Sequence, residues 1–137
     1  PEPAARLKGF LDHVGSRGIG VNMDPANLVM VLGADPVDAV EILGPHIVHT
    51  HAKDGLQLAP CDPVQVYHSF AVGGIEGLEI GKLFNEVPLG QGKVPWPQYL
   101  AALETAGFDG YLTIEREVGE DPTTDIAMAI EFLRKQI

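Results

Sequence analysis

The chain has 137 residues, 45% of them hydrophobic and 20% charged, which excludes a disordered segment and suffices for one soluble domain with its own core. Nine Lys and Arg against nineteen Asp and Glu leave a formal charge of −10, the wrong sign for a protein that grips nucleic acid mainly through phosphates. The single Cys61 excludes a disulfide framework and a multi-cysteine zinc site, and no apolar run approaches the ~20 residues of a membrane span.

The first element is a helix from Ala4 to Val14, with Ala4, Leu7, Phe10, Leu11 and Val14 at helical spacing. Gly15 to Gly18 stops it and leads into a strand near 19–23. Pro25 lacks an N–H and biases Asp24 toward an extended backbone, so Asp24 to Asn27 reads as a turn, followed by a short helical turn over 28–32. Asp35-Pro36 is an N-cap followed by Pro at the first helical position, and opens a helix through Leu43 that Gly44-Pro45 ends. A second strand covers 47–51. From 52 to 92 the pattern is mostly loop, a length that marks a lid or binding loop, with short elements expected at 65–70 and 78–84. Cys61 lies in a Pro-rich part of it, without a ligand partner at useful spacing. A helix over 96–106, a strand near 111–115 and a helix begun by Asp121-Pro122 complete the order α-β-α-β-loop-α-β-α. Strands alternating with helices predict a parallel α/β sheet. Three such strands cannot close a barrel and leave two bare edges, so self-association into a homo-oligomer is expected.

Each of the three strands runs into a metal-type ligand: Asp24, His51 and Glu115. In a parallel sheet these three side chains share one edge, the carboxyl end, where α/β enzymes keep their active sites. A carboxylate, an imidazole and a second carboxylate suit a divalent cation. Each also has a plainer reading. Asp24 before a Pro turn is equally a turn cap, and an apolar-flanked His is commonly a satisfied core residue. His49, two residues before His51, shares its face, and the pair followed by Lys53-Asp54 points to a polar pocket. Glu115 follows strand residues and needs a metal, a cation or a proton. Arg116 points to the opposite face from Glu115, whereas Glu117 shares that face and is read as a neighbour of the site or a substrate contact. Gly90-Gln91-Gly92 fits neither a Walker nor a dinucleotide pattern and reads as a tight turn. With no Gly-x-Ser-x-Gly elbow and no base beside Cys61, nucleophilic hydrolysis has no support.

Four segments in register, Asn22-Met23-Asp24-Pro25-Ala26-Asn27, His49-Thr50-His51-Ala52-Lys53-Asp54, Pro88-Leu89-Gly90-Gln91-Gly92 and Gly110-Tyr111-Leu112-Thr113-Ile114-Glu115-Arg116-Glu117, resemble the xylose isomerase-like TIM-barrel superfamily. Within it they are most similar to the sugar phosphate isomerase/epimerase group. The resemblance implies that residues 1–137 are the C-terminal part of a (β/α)8 barrel, parallel strands six to eight with flanking helices. It implies one divalent ion (Mn²⁺ first; Mg²⁺, Co²⁺ or Zn²⁺ otherwise) held by Asp24, His51, Glu115 and a Glu from a strand before Pro1.

The chemistry so implied is a metal-dependent sugar isomerase or epimerase in which Glu115 and the further Glu exchange a substrate proton through an enediolate. Lys53 would orient substrate oxygens or a phosphate. The chain departs from Asp-x-x-His relatives in carrying Asn27, which donates a hydrogen bond but shuttles no proton. Asn27, His49, Lys53 and Glu117 are thus the expected substrate contacts, with a small sugar as partner, neither nucleic acid nor membrane, and a cytoplasmic location; no signal peptide opens the chain. Two alternatives stay open. One is an abasic-site endonuclease, although Phe84-Asn85-Glu86-Val87 lacks the Asp-x-His pair of its trinuclear site. The other is a non-catalytic part-barrel that self-associates.

Overall fold

A computed structural model describes residues 1–137. Helix α1 (Ala4–Val14) ends at Gly15, whose φ of 58° closes the helix in the left-handed region. The chain then enters β1 (Val21–Met23). A three-residue helix α2 (Pro25–Asn27) runs directly into a π-helical turn at Leu28–Leu32, four of whose five residues are buried. Helix α3 (Pro36–Leu43) and β2 (Ile47–Ala52) follow. After the β2 strand come β3 (Asp54–Gln57), α4 (Pro63–Val72), β4 (Phe84–Val87), α5 (Trp96–Thr105), β5 (Leu112–Ile114) and α6 (Pro122–Leu133).

The main sheet is parallel, in the order β1-β2-β5. Asn22 pairs with His49 and Met23 with Thr50, while His51 pairs with Thr113 and Ala52 with Ile114. A register irregularity between Val21 and Asn22 sets Val21 opposite Ile47 yet Asn22 opposite His49. Side chains alternate across the sheet. Val21, Met23, Thr50 and Ala52 are buried in the helix-covered side, whereas Asn22 and Thr113 on the other face are exposed. The core joins these strand residues to Val40 and Leu43 of α3 and to Trp96, Tyr99 and Leu103 of α5. Tyr99 and Thr50 meet at its centre through a hydroxyl pair 2.7 Å apart, with Thr50 also donating to the Met23 carbonyl at 3.0 Å.

The parallel α/β arrangement read from the sequence is what forms, with shorter first and third strands than the apolar runs suggest. The stretch 52–92 departs from its expected loop character. β3 and β4 pair antiparallel from Asp54–Val87 to Gln57–Phe84, and α4 lies between them. The start of α4 was readable: Asp62-Pro63 repeats the Asp-Pro signature of the other helices, and Asp62 caps Val64 N at 2.8 Å. The antiparallel pair was not, because Gly55 interrupts its apolar pattern; a Cβ there would overlap Met30 and crowd the Asn85 carbonyl.

The Gly90-Gln91-Gly92 turn is built around Asp54, a carboxylate only 1% exposed. It accepts hydrogen bonds from Gly55 N (2.9 Å), Gly90 N (3.0 Å), Val94 N (3.1 Å) and the Trp96 indole (3.0 Å). Charge-assisted bonds of this number are what a buried carboxylate requires. The same bonds fasten the segment that leads into α5.

Candidate active site

Asp24, His51 and Glu115 come together at the carboxyl edge of the parallel sheet. Asp24 sits just past β1 in extended conformation (φ −120°, ψ 104°), as the following Pro25 requires. Its Oδ1 accepts from Asn27 N at 2.9 Å and its Oδ2 from Asn27 Nδ2 at 2.8 Å. The capping role and the site role therefore coincide: the cap holds the carboxylate while Oδ2 faces His51 Nδ1 at 3.4 Å. On the other side, Glu115 Oε2 lies 3.2 Å from the same Nδ1. Glu115 N donates to the Ala52 carbonyl at 3.2 Å, extending the β2–β5 ladder by one residue and fixing where its side chain starts.

One ligand atom from each of the three residues can be chosen so that all lie within 4.8 Å of one another. Neighbouring donors around an ion with bonds of ~2.1 Å stand roughly 3–3.5 Å apart, so both His51 contacts are already at coordination spacing. The residues fit a divalent ion chemically as well, with two carboxylates and an imidazole, and positions left for other ligands.

Around this triad the expected contacts separate. Asn27, Lys53 and Glu117 line the same cavity as Asp24, His51 and Glu115, a space of about 870 Å³. His49 does not line it; its ring packs edge-on against His51, with centroids 5.7 Å apart. The Lys53 ammonium, on a side chain 3% exposed, binds Glu115 at 3.0 Å and Glu86 at 3.3 Å and also contacts Glu117. Burial alone would lower its pKa. Hydrogen bonds to Glu117 and Glu115 and the charges of Asp24 and Glu86 outweigh burial and hold it above the usual lysine range.

Several residues of the site were not singled out from sequence. Asn22 Nδ2 lies 3.2 Å from His51 Nε2; its place two residues before Asp24, on the same strand face, was the available signal. Glu86, from β4, bridges Lys53 to Arg116 (2.8 Å) and accepts from Glu117 N at 3.0 Å. Arg116 is held a second time by Asp125 of α6 at 2.6 Å. It thus faces away from Glu115, in keeping with strand alternation. Tyr67 and Phe70 of α4 and Phe84 of β4 supply an aromatic wall. Burial pushes the Tyr67 phenol up, Asp24 and Glu117 add to this and Lys53 opposes it, so the hydroxyl is neutral at physiological pH.

A parallel sheet with flanking helices, and with Asp24, His51 and Glu115 gathered at its carboxyl edge, defines a part-barrel of the α/β class. The model of the family described as xylose isomerase-like TIM barrel matches residues 3–136, and the chain belongs to that family, which includes sugar isomerases and epimerases and often binds divalent metals. The chain is 28% identical over 144 residues to the uncharacterized protein YfiH of Bacillus subtilis (strain 168), covering all of this chain and 42% of that protein. Among solved structures it is similar to a xylose isomerase domain protein from Planctomyces limnophilus, with a TM-score of 0.75 and 29% identity over 98% of this chain and 43% of that one. The fold also matches a xylose isomerase domain protein from Alicyclobacillus acidocaldarius subsp. acidocaldarius, with a TM-score of 0.60, 20% identity and the same coverage. The chain thus spans about two fifths of the length of these relatives. No helix is long and apolar enough to cross a membrane.

Proposed function

We propose that the chain carries the metal-binding edge of a divalent-metal-dependent sugar isomerase or epimerase, forming the last three strands of its barrel. The observation that carries this reading is the convergence of Asp24, His51 and Glu115 from three parallel strand ends in one cavity. That cavity holds four carboxylates (Asp24, Glu86, Glu115, Glu117) against one ammonium (Lys53), an excess of negative charge that a divalent cation would offset.

Asp24, His51 and Glu115 would hold the ion. When bound, such an ion polarises a carbonyl and its neighbouring hydroxyl and so acidifies the C–H between them. Glu115 is placed to take up that proton and return it, because its carboxylate projects into the cavity from a backbone position fixed by the ladder. Lys53 orients Glu115 and Glu117 by holding both carboxylates, and its raised pKa keeps it charged through the working range. Asn27 fixes Asp24, and Glu117 is available at the cavity for a substrate hydroxyl. Tyr67, Phe70 and Phe84 give the opposite side an apolar surface for the C–H faces of a sugar.

The test is Mn²⁺ binding, measured by calorimetry on the chain and on its Asp24→Ala and Glu115→Ala variants. The expected result is one ion per chain, lost in both variants; absence of binding by the parent chain would remove the reading. For the protein that carries the whole barrel, incubation with substrate in D₂O is expected to place deuterium on the carbon next to the carbonyl.

A further inference from the structure

We infer that Asp125, Arg116 and Glu86 are positioning residues: they fix the Lys53 ammonium and, through it, set the Glu115 carboxylate in place for a divalent ion. This role deepens the function above and rests on its metal site. The Glu115 backbone is fixed by the sheet ladder, but its side chain is 33% exposed and its carboxylate could turn toward solvent. Ordering such a side chain costs rotamer freedom, and an ion that found it loose would bind more weakly by that cost.

Two contacts hold the end of Glu115, both at Oε2: Lys53 Nζ at 3.0 Å and His51 Nδ1 at 3.2 Å. Lys53 is itself a long, flexible side chain, so where it stands depends on what grips its ammonium. Glu117, one partner, is exposed; Glu86, at 3.3 Å, is buried and serves as the anchor. Glu86 is in turn fixed at its other oxygen, where Oε1 accepts from Arg116 Nη1 at 2.8 Å and from Glu117 N at 3.0 Å. Asp125, in the first turn of α6, holds Arg116 Nε at 2.6 Å. A line of alternating charge therefore runs Asp125, Arg116, Glu86, Lys53, Glu115, from α6 to the ligand edge. Its middle members, Arg116 and Glu86, are 9% and 7% exposed, so solvent and salt screen these links little. Neither Arg116 nor Asp125 lines the cavity, and the contacts give them one route to an ion, through Glu86 and Lys53.

The test is Mn²⁺ calorimetry, with the visible spectrum of the Co²⁺-loaded chain, on Glu86→Gln, on Asp125→Ala, and on each combined with Lys53→Met. Circular dichroism confirms folding. Glu86→Gln keeps the side-chain volume but turns an amide nitrogen toward one of its two cations. It is expected to weaken Mn²⁺ binding by about tenfold or more, the range for residues that hold metal ligands. Asp125→Ala should weaken it less, in the same direction, and both should alter the Co²⁺ spectrum. With Lys53→Met present, both effects should vanish, because the route through the ammonium is gone. A merely structural role would lower the melting temperature and leave affinity and spectrum unchanged in the folded variants. That result, or a loss of affinity that persists alongside Lys53→Met, overturns the assignment. If Glu86→Gln fails to fold, Asp125→Ala at the far end of the line decides by the same outcomes. A parent chain that binds no Mn²⁺ defeats the metal site itself. The readout is then the Glu115 Cδ resonance of the metal-free chain: a shift in Asp125→Ala that disappears with Lys53→Met supports the positioning role, and an unmoved resonance overturns it.

Discussion

Asn22 Nδ2 stands 3.2 Å from His51 Nε2, on the far side of the imidazole from Asp24 and Glu115, both of which face Nδ1. As placed, the amide N–H donates to Nε2, and the proton of a neutral ring lies on Nδ1 between the two carboxylates. An ion held by Nδ1 requires the other tautomer, with Nε2–H donating to the Asn22 carbonyl oxygen. Turning the amide about its last bond provides this without moving the backbone.

Asn22→Leu is therefore expected to weaken Mn²⁺ binding by about tenfold or more, in the range typical for partners of metal-bound histidines. Asn22→Gln, whose longer side chain misplaces the amide, is expected to do little better. Calorimetric titration of both variants, with circular dichroism to confirm folding, checks this. An unchanged affinity in Asn22→Leu would remove Asn22 from the orientation of His51.

Lys53→Met leaves Glu86 and Glu115 without their shared cation. Because the Lys53 and Glu86 side chains are 3% and 7% exposed, the loss is expected on the order of 3 kcal/mol, read as a lower urea midpoint. Lys53 has its pKa raised by folding, so its contribution is fully present below the ordinary lysine pKa of about 10.4 and is lost only as pH rises through the higher folded value. Between pH 6 and 9 the difference between Lys53→Met and the parent should therefore not change through titration of this ammonium, as urea melts across that range will show.

Asp54→Ala removes the common acceptor of four N–H groups and is expected to cost about 3 kcal/mol or more. Gly92→Ala attacks the same knot from the other side, since a Cβ there would overlap the Asp54 carboxylate and Gly55 N. Both variants should lower the thermal midpoint, and amide exchange should quicken first in residues 90–96. A Gly92→Ala protein as stable as the parent would contradict the close packing of this turn.

Tyr99→Phe deletes the O–H that donates to Thr50, whose own proton goes to the Met23 carbonyl. With both side chains fully buried, the expected cost is about 1 kcal/mol. Thr50→Val strands the Tyr99 hydroxyl and takes a donor from the Met23 carbonyl, and should cost more. The double variant should fall well short of the sum, a coupling that a double-mutant cycle measures directly.

The four segments that carried the family resemblance include the three strand ends, and their order along the chain agrees with the fold. Asp24, His51 and Glu115 were legible because each closes an apolar run, and apolar runs alternating with helices leave a parallel sheet as the arrangement that buries them. Asn27 came from the family resemblance, as the residue standing where relatives carry His, whereas Glu117 and the opposite directions of Glu115 and Arg116 followed from strand alternation. The same reasoning placed His49 with His51, correctly as to face; the cavity walls, built by other segments, leave His49 outside.

Sequence alone determined what local chemistry can determine: helix starts at Asp-Pro pairs, the extended backbone at Asp24, the tight turn at Gly90-Gln91-Gly92, and which residues share a strand face. These depend on neighbours a few positions away. Only the tertiary structure decided that Glu86 joins Lys53 to Arg116, that Asn22 holds the back of His51, that Asp54 fills the glycine turn, and that α4 brings Tyr67 and Phe70 to the cavity. Each of these joins residues distant in the chain through contacts that no single segment encodes. The β3–β4 pair shows why. Its strands lie almost thirty residues apart, so Glu86 reaches Lys53 only after that long loop has closed, and the closure is driven by burial shared across the whole domain.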